Sequence, residues 1–309
     1  MELKKRRIGT SDLLVSEAAL GCMSLGTEKE KALSLLDEAI DLGINYLDTA
    51  DLYDFGTNEE IVGEAIKNRR QDLILATKGG NRFEKGKPGW DWDPSKAYIK
   101  EAVKQSLKRL QTDCIDLYQL HGGTIDDPID ETIEAFEELV EEGVIRYYGI
   151  SSIRPNVIKE YAKKSNIVSV MMQYSLLDRR PEEWFSLLEE QSISVVARGP
   201  LAKGLLTEKP LSQANAAIQK NGYLQYSFEE LQQIIPSLKK VAYDLSLTEL
   251  SIQYILKHSA VSSVVFGASS VDQLKENIAA ANARSLSDQE VKALTYYTKP
   301  SVYETHRFK

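Results

Sequence analysis

The sequence predicts an α/β protein folded as a closed (β/α)8 TIM barrel, with an N-terminal β-hairpin closing the floor and extra C-terminal helices. Eight short apolar runs alternate with segments of helical periodicity, and this alternation is typical of a parallel sheet covered by helices. Eight strand-helix units are the number that closes a barrel. The main alternative, an open doubly wound sheet, carries a GxGxxG turn after a strand, and the sequence has none. We predict one barrel domain over residues 1–309.

The strands can be predicted in chain order. Residues 2–18 are expected to form the floor hairpin, because Gly9 and Ser11-Asp12 supply turn chemistry between two brief strands. The barrel strands are predicted at residues 18–23, 44–47, 73–77, 115–120, 145–150, 168–172, 194–197 and 263–266.

Helical periodicity is clearest at residues 28–42 and 129–142, and a glycine follows each of these segments. Residues 228–246 predict an additional amphipathic helix that the barrel repeat does not need, and the tail from Ser287 predicts one more.

Two long loops interrupt the repeat, at residues 79–93 and 206–226. Long loops at the mouth of a barrel commonly determine specificity. Trp90 and Trp92 in the first loop are candidate walls of a pocket for apolar carbonyl compounds. They are equally compatible with a role as loop anchors that pack on the side of the barrel.

Composition limits the possible classes of protein. A net charge of −8 with 42% hydrophobic residues fits a globular protein with a sizeable core and argues against a nucleic-acid partner. Cys22 and Cys114 lie in apolar runs, so we expect core cysteines in a reduced, cytoplasmic protein. No apolar run reaches eighteen residues, and neither a signal peptide nor a membrane partner is expected. Three histidines and two separated cysteines give no metal-ligand cluster.

Four polar side chains lie at or just after consecutive predicted strand ends. Asp48 and Tyr53 follow the second barrel strand, Lys78 follows the third, and His121 follows the fourth. The carboxyl ends of parallel strands face the crevice where ligands bind. These four side chains are therefore the candidate catalytic residues.

At these residues the sequence resembles the aldo-keto reductase family, in a bacterial branch related to general-stress proteins and potassium-channel β subunits. The resemblance covers nearly the whole chain, in the order and spacing that this family uses. It implies that Asp48, Tyr53, Lys78 and His121 match the family's catalytic tetrad and that NADPH or NADH lies across the barrel mouth. The matching stretches are GINYLDTADLYDFGTNEEIVGEAI, LILATKGG, DLYQLHGG, EGVIRYYGISS, GPLAKGLLT and VVFGASSVDQLKENI.

The chemistry of the four residue types supports the same roles. Hydride arriving at a carbonyl carbon leaves charge on the oxygen, and a phenol is a weak acid for protonating it near neutrality. An ammonium such as Lys78 would stabilise the phenolate of Tyr53, and a carboxylate such as Asp48 would keep the ammonium charged. His121 would donate a hydrogen bond that orients the carbonyl.

Each residue alone also has a structural explanation. Asp48 beside Thr49 is compatible with a helix N-cap, and Lys78 with a solvated loop charge. A lone histidine at a strand end, like His121, is often structural. Convergence of the four side chains on one rim is what favours the catalytic interpretation.

The resemblance also implies contacts with the nicotinamide. Ser151 and Ser152 occupy the place where the family has Ser-Asn against the carboxamide, and Gln173 is expected to take over part of that contact. Arg198 stands where the family has a tyrosine that stacks on the nicotinamide. Its guanidinium either stacks there or forms an ion pair with a carboxylate such as Glu208.

Phosphate recognition is expected in two places. The stretch 199–205 would fold over the pyrophosphate, with Lys203 and backbone N–H groups facing it. Hydroxyls and free N–H groups at the start of the last barrel helix would hold a 2′-phosphate, and many members of the family carry arginine where Ser269 stands. The expected cofactor-binding residues outside the nicotinamide contacts are Gly21, Met23, Gly199, Pro200, Leu201, Lys203, Gly204, Leu205, Gly267, Ser269, Gln273 and Asn277.

The favoured function is NADPH-dependent reduction of aldehydes or ketones, with NADH also possible and Tyr53 as general acid. The alternative is a regulatory or interaction protein that binds NADPH and turns over slowly. A third hypothesis, a lyase that uses Lys78 as a Schiff-base amine, is disfavoured because Asp48 would keep the amine protonated. The physiological substrate and the oligomeric state are not predicted by the sequence.

Overall fold

The computed structural model describes residues 3–307. Its strands, in chain order, are β1 (Lys5–Arg7), β2 (Leu14–Ser16), β3 (Ala18–Gly21), β4 (Tyr46–Asp48), β5 (Ile74–Gly79), β6 (Asn81–Arg82), β7 (Asp91–Trp92), β8 (Ile115–Leu120), β9 (Ile145–Ser151), β10 (Ser169–Gln173), β11 (Ser194–Arg198) and β12 (Val261–Phe266).

Eight parallel strands close into a barrel in the order β3-β4-β5-β8-β9-β10-β11-β12, with β12 paired back to β3. All eight predicted barrel strands are confirmed, with ends shifted by up to two residues. The first strand ends at Gly21 rather than at residue 23, because Cys22–Ser24 form a 3₁₀ turn. The predicted (β/α)8 barrel is therefore the observed fold.

The helices, in chain order, are α1 (Lys29–Asp41), α2 (Thr57–Ile66), α3 (Lys96–Leu110), α4 (Ile129–Glu141), α5 (Pro155–Lys164), α6 (Phe185–Glu190), α7 (Ala216–Asn221), α8 (Phe228–Lys239), α9 (Leu247–Leu256), α10 (Val271–Ala281) and α11 (Asp288–Tyr297). No helix within residues 3–307 is long and apolar enough to cross a membrane.

The predicted helix over residues 228–246 is too long. It ends at Lys239, three residues after Pro236, and Ser246 instead caps the next helix through a capping box with Glu249. Both hydrogen bonds of the box satisfy free N–H groups at the start of α9. The helix predicted from Ser287 is confirmed as α11.

The N-terminal hairpin plugs the floor of the barrel. Strands β1 and β2 pair antiparallel, from Lys5 opposite Ser16 to Arg7 opposite Leu14. The apolar hairpin residues form one buried cluster with inward-facing strand residues such as Tyr46 and Met171. The floor is thus closed by apolar packing, and ligands have access from the opposite rim.

The cysteines differ in burial. Cys22 is fully buried in the 3₁₀ turn after β3, as expected for a core cysteine. Cys114 lies just before β8 and is only half-buried, so the prediction of a core position was wrong for this residue.

Candidate active site

Consecutive barrel strands bring three of the four candidate catalytic side chains to one rim. Asp48 is the last residue of β4, Lys78 is the last but one of β5, and His121 directly follows β8. Tyr53 opens a 3₁₀ turn in the loop after β4. Parallel pairing of these strands places their carboxyl ends side by side.

Lys78 is the centre of the cluster. Its side chain is 1% exposed, and its ammonium donates to Asp48 Oδ2 at 2.6 Å and to the carbonyl oxygen of Thr49 at 2.7 Å. A third, longer contact of 3.4 Å joins Nζ to the Tyr53 hydroxyl. The ammonium therefore touches both the carboxylate that can hold its charge and the phenol that it could polarise.

The electrostatics of this buried pair favour a charged lysine. Burial by itself would lower the pKa of Lys78, but the oxygens of Asp48 and Tyr53 outweigh it and the pKa is raised. Burial raises the pKa of Asp48, while the Lys78 ammonium and the Gln119 amide oppose that rise. A lysine that keeps its proton is a poor Schiff-base nucleophile, which argues against the lyase hypothesis.

His121 lies against Tyr53. The two ring centroids are 5.9 Å apart with nearly perpendicular planes. Burial, with the positive charges of Lys78 and Arg198, lowers the pKa of His121 to about 3. The imidazole is therefore neutral near pH 7 and can donate one hydrogen bond without carrying charge into the site.

Sequence reasoning missed several residues that support the catalytic side chains. Gln119 donates from Nε2 to Asp48 Oδ1 at 3.2 Å, the oxygen that Lys78 leaves free. A buried amide two residues before His121, in a strand that is buried throughout, is a signal that could have revealed it. Asn58, in the first turn of α2, accepts from the Thr49 hydroxyl at 2.7 Å.

A second support lies behind Lys78. The Thr77 hydroxyl donates to Glu59 Oε1 at 2.5 Å, and Arg109 Nε donates to Glu59 Oε2 at 2.7 Å. Asp51 is also buried there, and desolvation together with the nearby charge of Glu59 raises its pKa. These contacts connect sequence segments that are far apart, so spacing gave no indication of them.

The turn that carries Tyr53 has an unusual backbone. Asp54 and Phe55 have φ of 48° and 51°, and Gly56 follows with φ of 90°. The backbone at Gly56 is one that residues with a Cβ rarely adopt, and a Cβ there would lie 2.8 Å from Arg109 Cδ and displace that side chain. The strained turn is held by the packing around it.

Ser151, Ser152 and Arg198 line one cleft of about 340 Å³ beside Gly122. Arg198 Nη1 donates to Gln173 Oε1 at 3.2 Å. Gln173 in turn donates from Nε2 to Asp178 at 2.8 Å, so its amide is largely occupied within the protein.

The ion pair considered for Arg198 and Glu208 is wrong. Glu208 binds Lys239 at 2.7 Å and accepts from the backbone N–H of Leu247 at 2.7 Å. The carboxylate therefore holds α8 and the start of α9 together. Stacking of Arg198 on a nicotinamide stays a prediction.

Residues expected to bind the phosphates and the adenosine of the cofactor line a second cleft of about 430 Å³. Leu201, Gly267, Gln273 and Asn277 face it, together with Glu208 and other residues. Met23, by contrast, is 67% exposed after Gly21 at the end of β3. The structure thus brings the four cleft residues together, although they come from two separate loops and α10.

These residues fit a nicotinamide dinucleotide. Both the N–H and the hydroxyl of Ser269 donate to Gln273 Oε1 at 3.0 Å, so two donors at the start of α10 converge on one acceptor oxygen. In the loop 199–205, Lys203 and Gly204 have φ of 58° and 89°. Left-handed residues in such turns commonly present successive N–H groups to an anion.

The two loop tryptophans differ. The Trp92 ring packs directly against Gly80 and Gly122, where an added Cβ would lie 2.9 Å and 3.3 Å from it. Its Nε1 donates to Asp127 at 2.9 Å. Trp92 is therefore anchored next to the His121 segment. Trp90 is 54% exposed.

Relatives of this chain include enzymes and a solved structure that match it over nearly its full length. The model of the Aldo/keto reductase family matches residues 18–298. An uncharacterized oxidoreductase, YqkF of Bacillus subtilis (strain 168), is 72% identical over 305 residues, 99% of this chain and 100% of that protein. The NADH-specific methylglyoxal reductase of Escherichia coli (strain K12) is 31% identical over 314 residues, 93% and 96% of the two chains. The holo form of aldo-keto reductase AKR11C1 from Bacillus halodurans has 63% identity and a TM-score of 0.95, covering 99% and 100%.

Proposed function

Because the chain belongs to the aldo-keto reductase family, we propose that it reduces an aldehyde or ketone to an alcohol, with NADPH as cofactor and Tyr53 as general acid. The observation that carries this proposal is the contact series Asp48–Lys78–Tyr53 with His121 against the phenol ring. The bound cofactor would supply hydride to the carbonyl carbon. The protein's own residues would position the carbonyl and supply the proton.

Tyr53 would protonate the oxygen on which negative charge develops. Loss of a proton from the phenol is assisted by the Lys78 ammonium 3.4 Å from the hydroxyl, because a nearby positive charge stabilises the phenolate. Asp48 keeps that ammonium charged and in place at 2.6 Å. Catalysis by a positioned general acid commonly contributes about 10²- to 10⁴-fold.

His121 would orient the carbonyl. A neutral imidazole can donate to the oxygen and stabilise the developing charge without competing with Tyr53 for the proton. The lowered pKa of His121 supports this role, because the imidazole would remain unprotonated throughout the neutral range.

NADPH is the proposed cofactor, and NADH is also possible. A 2′-phosphate would take over the Ser269 hydroxyl and N–H, which donate to Gln273 Oε1 in the free protein, together with N–H groups in the first turn of α10. No arginine stands at position 269 to add a positive charge, and the Escherichia coli relative is named NADH-specific. A preference for NADPH over NADH is therefore expected to be modest.

The test is turnover by Tyr53→Phe with a matched control. Wild type, Tyr53→Phe and Tyr243→Phe are titrated with NADPH by tryptophan fluorescence and assayed with a panel of aldehydes. Tyr243 is 87% exposed, so its substitution controls for the chemical change. We expect similar NADPH affinity in all three and a fall in kcat of at least about 100-fold only in Tyr53→Phe. Tight binding with no turnover in the wild type would instead support a regulatory protein.

A further inference from the structure

A cleft lined by arginines opens next to the candidate catalytic residues. Its volume is about 340 Å³. Its walls are formed by Gly122 (the residue after His121), by the segment after β9, and by residues 303–306 of the C-terminal tail. Arg154, Arg180 and Arg198 all line it. Three guanidinium groups around one small cleft are more positive charge than the reduction of a neutral carbonyl requires.

Only one of these arginines is neutralised by a carboxylate. Arg180 binds Asp178 through two hydrogen bonds of 2.6 and 2.7 Å, and its guanidinium stacks 4.8 Å from the Tyr303 ring centroid. Arg198 donates to the neutral Gln173 amide, and Arg154 donates to the carbonyl of Gly123. Among the ion pairs within residues 3–307, none involves Arg154 or Arg198.

The two unneutralised arginines retain binding capacity. Each guanidinium has five N–H donors, and each side chain in the cleft is only partly exposed. A partly buried cation without a counter-ion is unfavourable unless an anion completes the site. A planar carboxylate matches the guanidinium fork, because its two oxygens can accept two parallel hydrogen bonds.

The positive charge lies close enough to act on the candidate catalytic residues. The positive charge of Arg198 contributes to the lowered pKa of His121 and opposes the rise that burial causes in the pKa of Asp48. A group bound at Arg198 is thus near the rim where the carbonyl would be held. The acid in the cleft wall is Glu304, which is exposed on the tail.

We propose that Arg154 and Arg198 form an anion subsite that binds a carboxylate of the carbonyl substrate. The preferred substrates are then short oxo acids, in which an aldehyde or ketone and a carboxylate are joined by a few carbons. This inference rests on the proposed reductase function and specifies its substrate class. Ser151 and Ser152 line the same cleft, so a bound nicotinamide would fill part of it and leave room for a short chain.

The test compares an oxo acid with its neutral ester. 4-Oxobutanoate and methyl 4-oxobutanoate share the aldehyde and differ in charge, and both are assayed at saturating NADPH so that cofactor affinity does not enter. We expect kcat/KM for the acid to exceed that for the ester by about 10- to 100-fold, the range of a hydrogen bond to a charged group. The ratio should fall as salt is raised.

Three variants separate charge from structure. Arg154→Met should lower the acid-to-ester ratio by at least about 10-fold, whereas Arg154→Lys, which keeps the charge but loses the guanidinium fork, should lower it by less. Glu304→Gln removes the opposing charge from the same wall and should raise the ratio. Thermal unfolding of each variant checks that the fold is intact.

Two outcomes would overturn the proposal. Equal kcat/KM for acid and ester in the wild type would refute the anion subsite and leave the reductase function standing. A ratio that falls as far in Arg154→Lys as in Arg154→Met would assign Arg154 to the support of Gly123 rather than to substrate binding. Failure to reduce either compound or any other aldehyde would instead refute the reductase function itself.

Discussion

The buried pair Asp48–Lys78 provides a prediction whose magnitude can be worked out from the structure. Asp48→Asn removes the carboxylate 2.6 Å from an ammonium that is 1% exposed. Breaking a buried ion pair by removing one partner costs about 3–5 kcal/mol. The loss has an upper limit, because Lys78 can release its proton instead of remaining charged.

That limit follows from the ordinary pKa of a lysine. Releasing the proton at pH 7 from a group of ordinary pKa 10.5 costs about 5 kcal/mol, at about 1.4 kcal/mol per pH unit. A lysine that is neutral when folded but charged when unfolded makes stability rise with pH below 10.5. At pH 9 that limit falls to about 2 kcal/mol, so Asp48→Asn should regain about 1–3 kcal/mol relative to wild type between pH 7 and pH 9.

The reciprocal variant should show the opposite dependence. Lys78→Met leaves Asp48 buried without its ammonium, and Asp48 then binds a proton, at a cost of about 4 kcal/mol at pH 7 from its ordinary pKa of 3.8. The double variant Asp48→Asn/Lys78→Met has no buried charge and should lie within about 2 kcal/mol of wild type. All three variants should lose turnover, so the double variant would be stable and inactive.

The assay is urea unfolding of wild type, both single variants and the double variant at pH 7 and pH 9. The exposed pair Arg284–Asp244 is the control, and Asp244→Asn should leave stability unchanged at both pH values, because exposed ion pairs contribute little. Losses in the double variant equal to the sum of the single losses would refute the coupling. So would an Asp48→Asn variant whose stability changes with pH in parallel with the wild type.

Three further predictions concern the groups around this pair. His121 has a pKa of about 3 in the folded protein, whereas a histidine in the unfolded chain binds a proton below about pH 6.5. The wild type should therefore lose free energy of unfolding as the pH falls from 7.5 to 5, and His121→Gln should lose about 2 kcal/mol less, as measured by urea unfolding. Gly79→Ala would place Cβ 2.1 Å from the Tyr118 hydroxyl oxygen and should cost about 1–3 kcal/mol; adding Tyr118→Phe should restore part of that loss, and no recovery would contradict the steric explanation. Ser269→Arg should strengthen NADPH binding about 10-fold by fluorescence titration with little effect on NADH, and equal gains for both cofactors would show that position 269 does not meet a 2′-phosphate.

Local patterns in the sequence were sufficient for the barrel and for the positions of the candidate catalytic residues. Apolar runs of strand length alternating with helical segments predict a parallel barrel, since each strand must bury both faces. In such a barrel the residues at strand ends, such as Asp48 and Lys78, necessarily share one rim. The end of α8 was also predictable, because Ser246 and Glu249 carry the spacing of a capping box.

Long-range contacts could not be predicted in the same way. The partner of Arg198 is decided by which side chains the closed barrel brings within reach, and it is Gln173 rather than Glu208. The same holds for the tail, where Tyr303 comes to lie under Arg180. From the sequence, Glu208 was a plausible partner by charge, whereas nothing in the sequence indicated that Gln173 would lie within reach of Arg198.

The sequence by itself determined the fold and the rim on which the candidate catalytic residues lie, because hydrophobic periodicity and strand polarity are local properties of the chain. Only the tertiary structure decided that Lys78 is almost fully buried between Asp48 and Tyr53 and that two arginines remain without carboxylate partners. Burial and ion pairing depend on atoms from segments far apart in sequence, and these quantities set the pKa values and the charge available to a substrate.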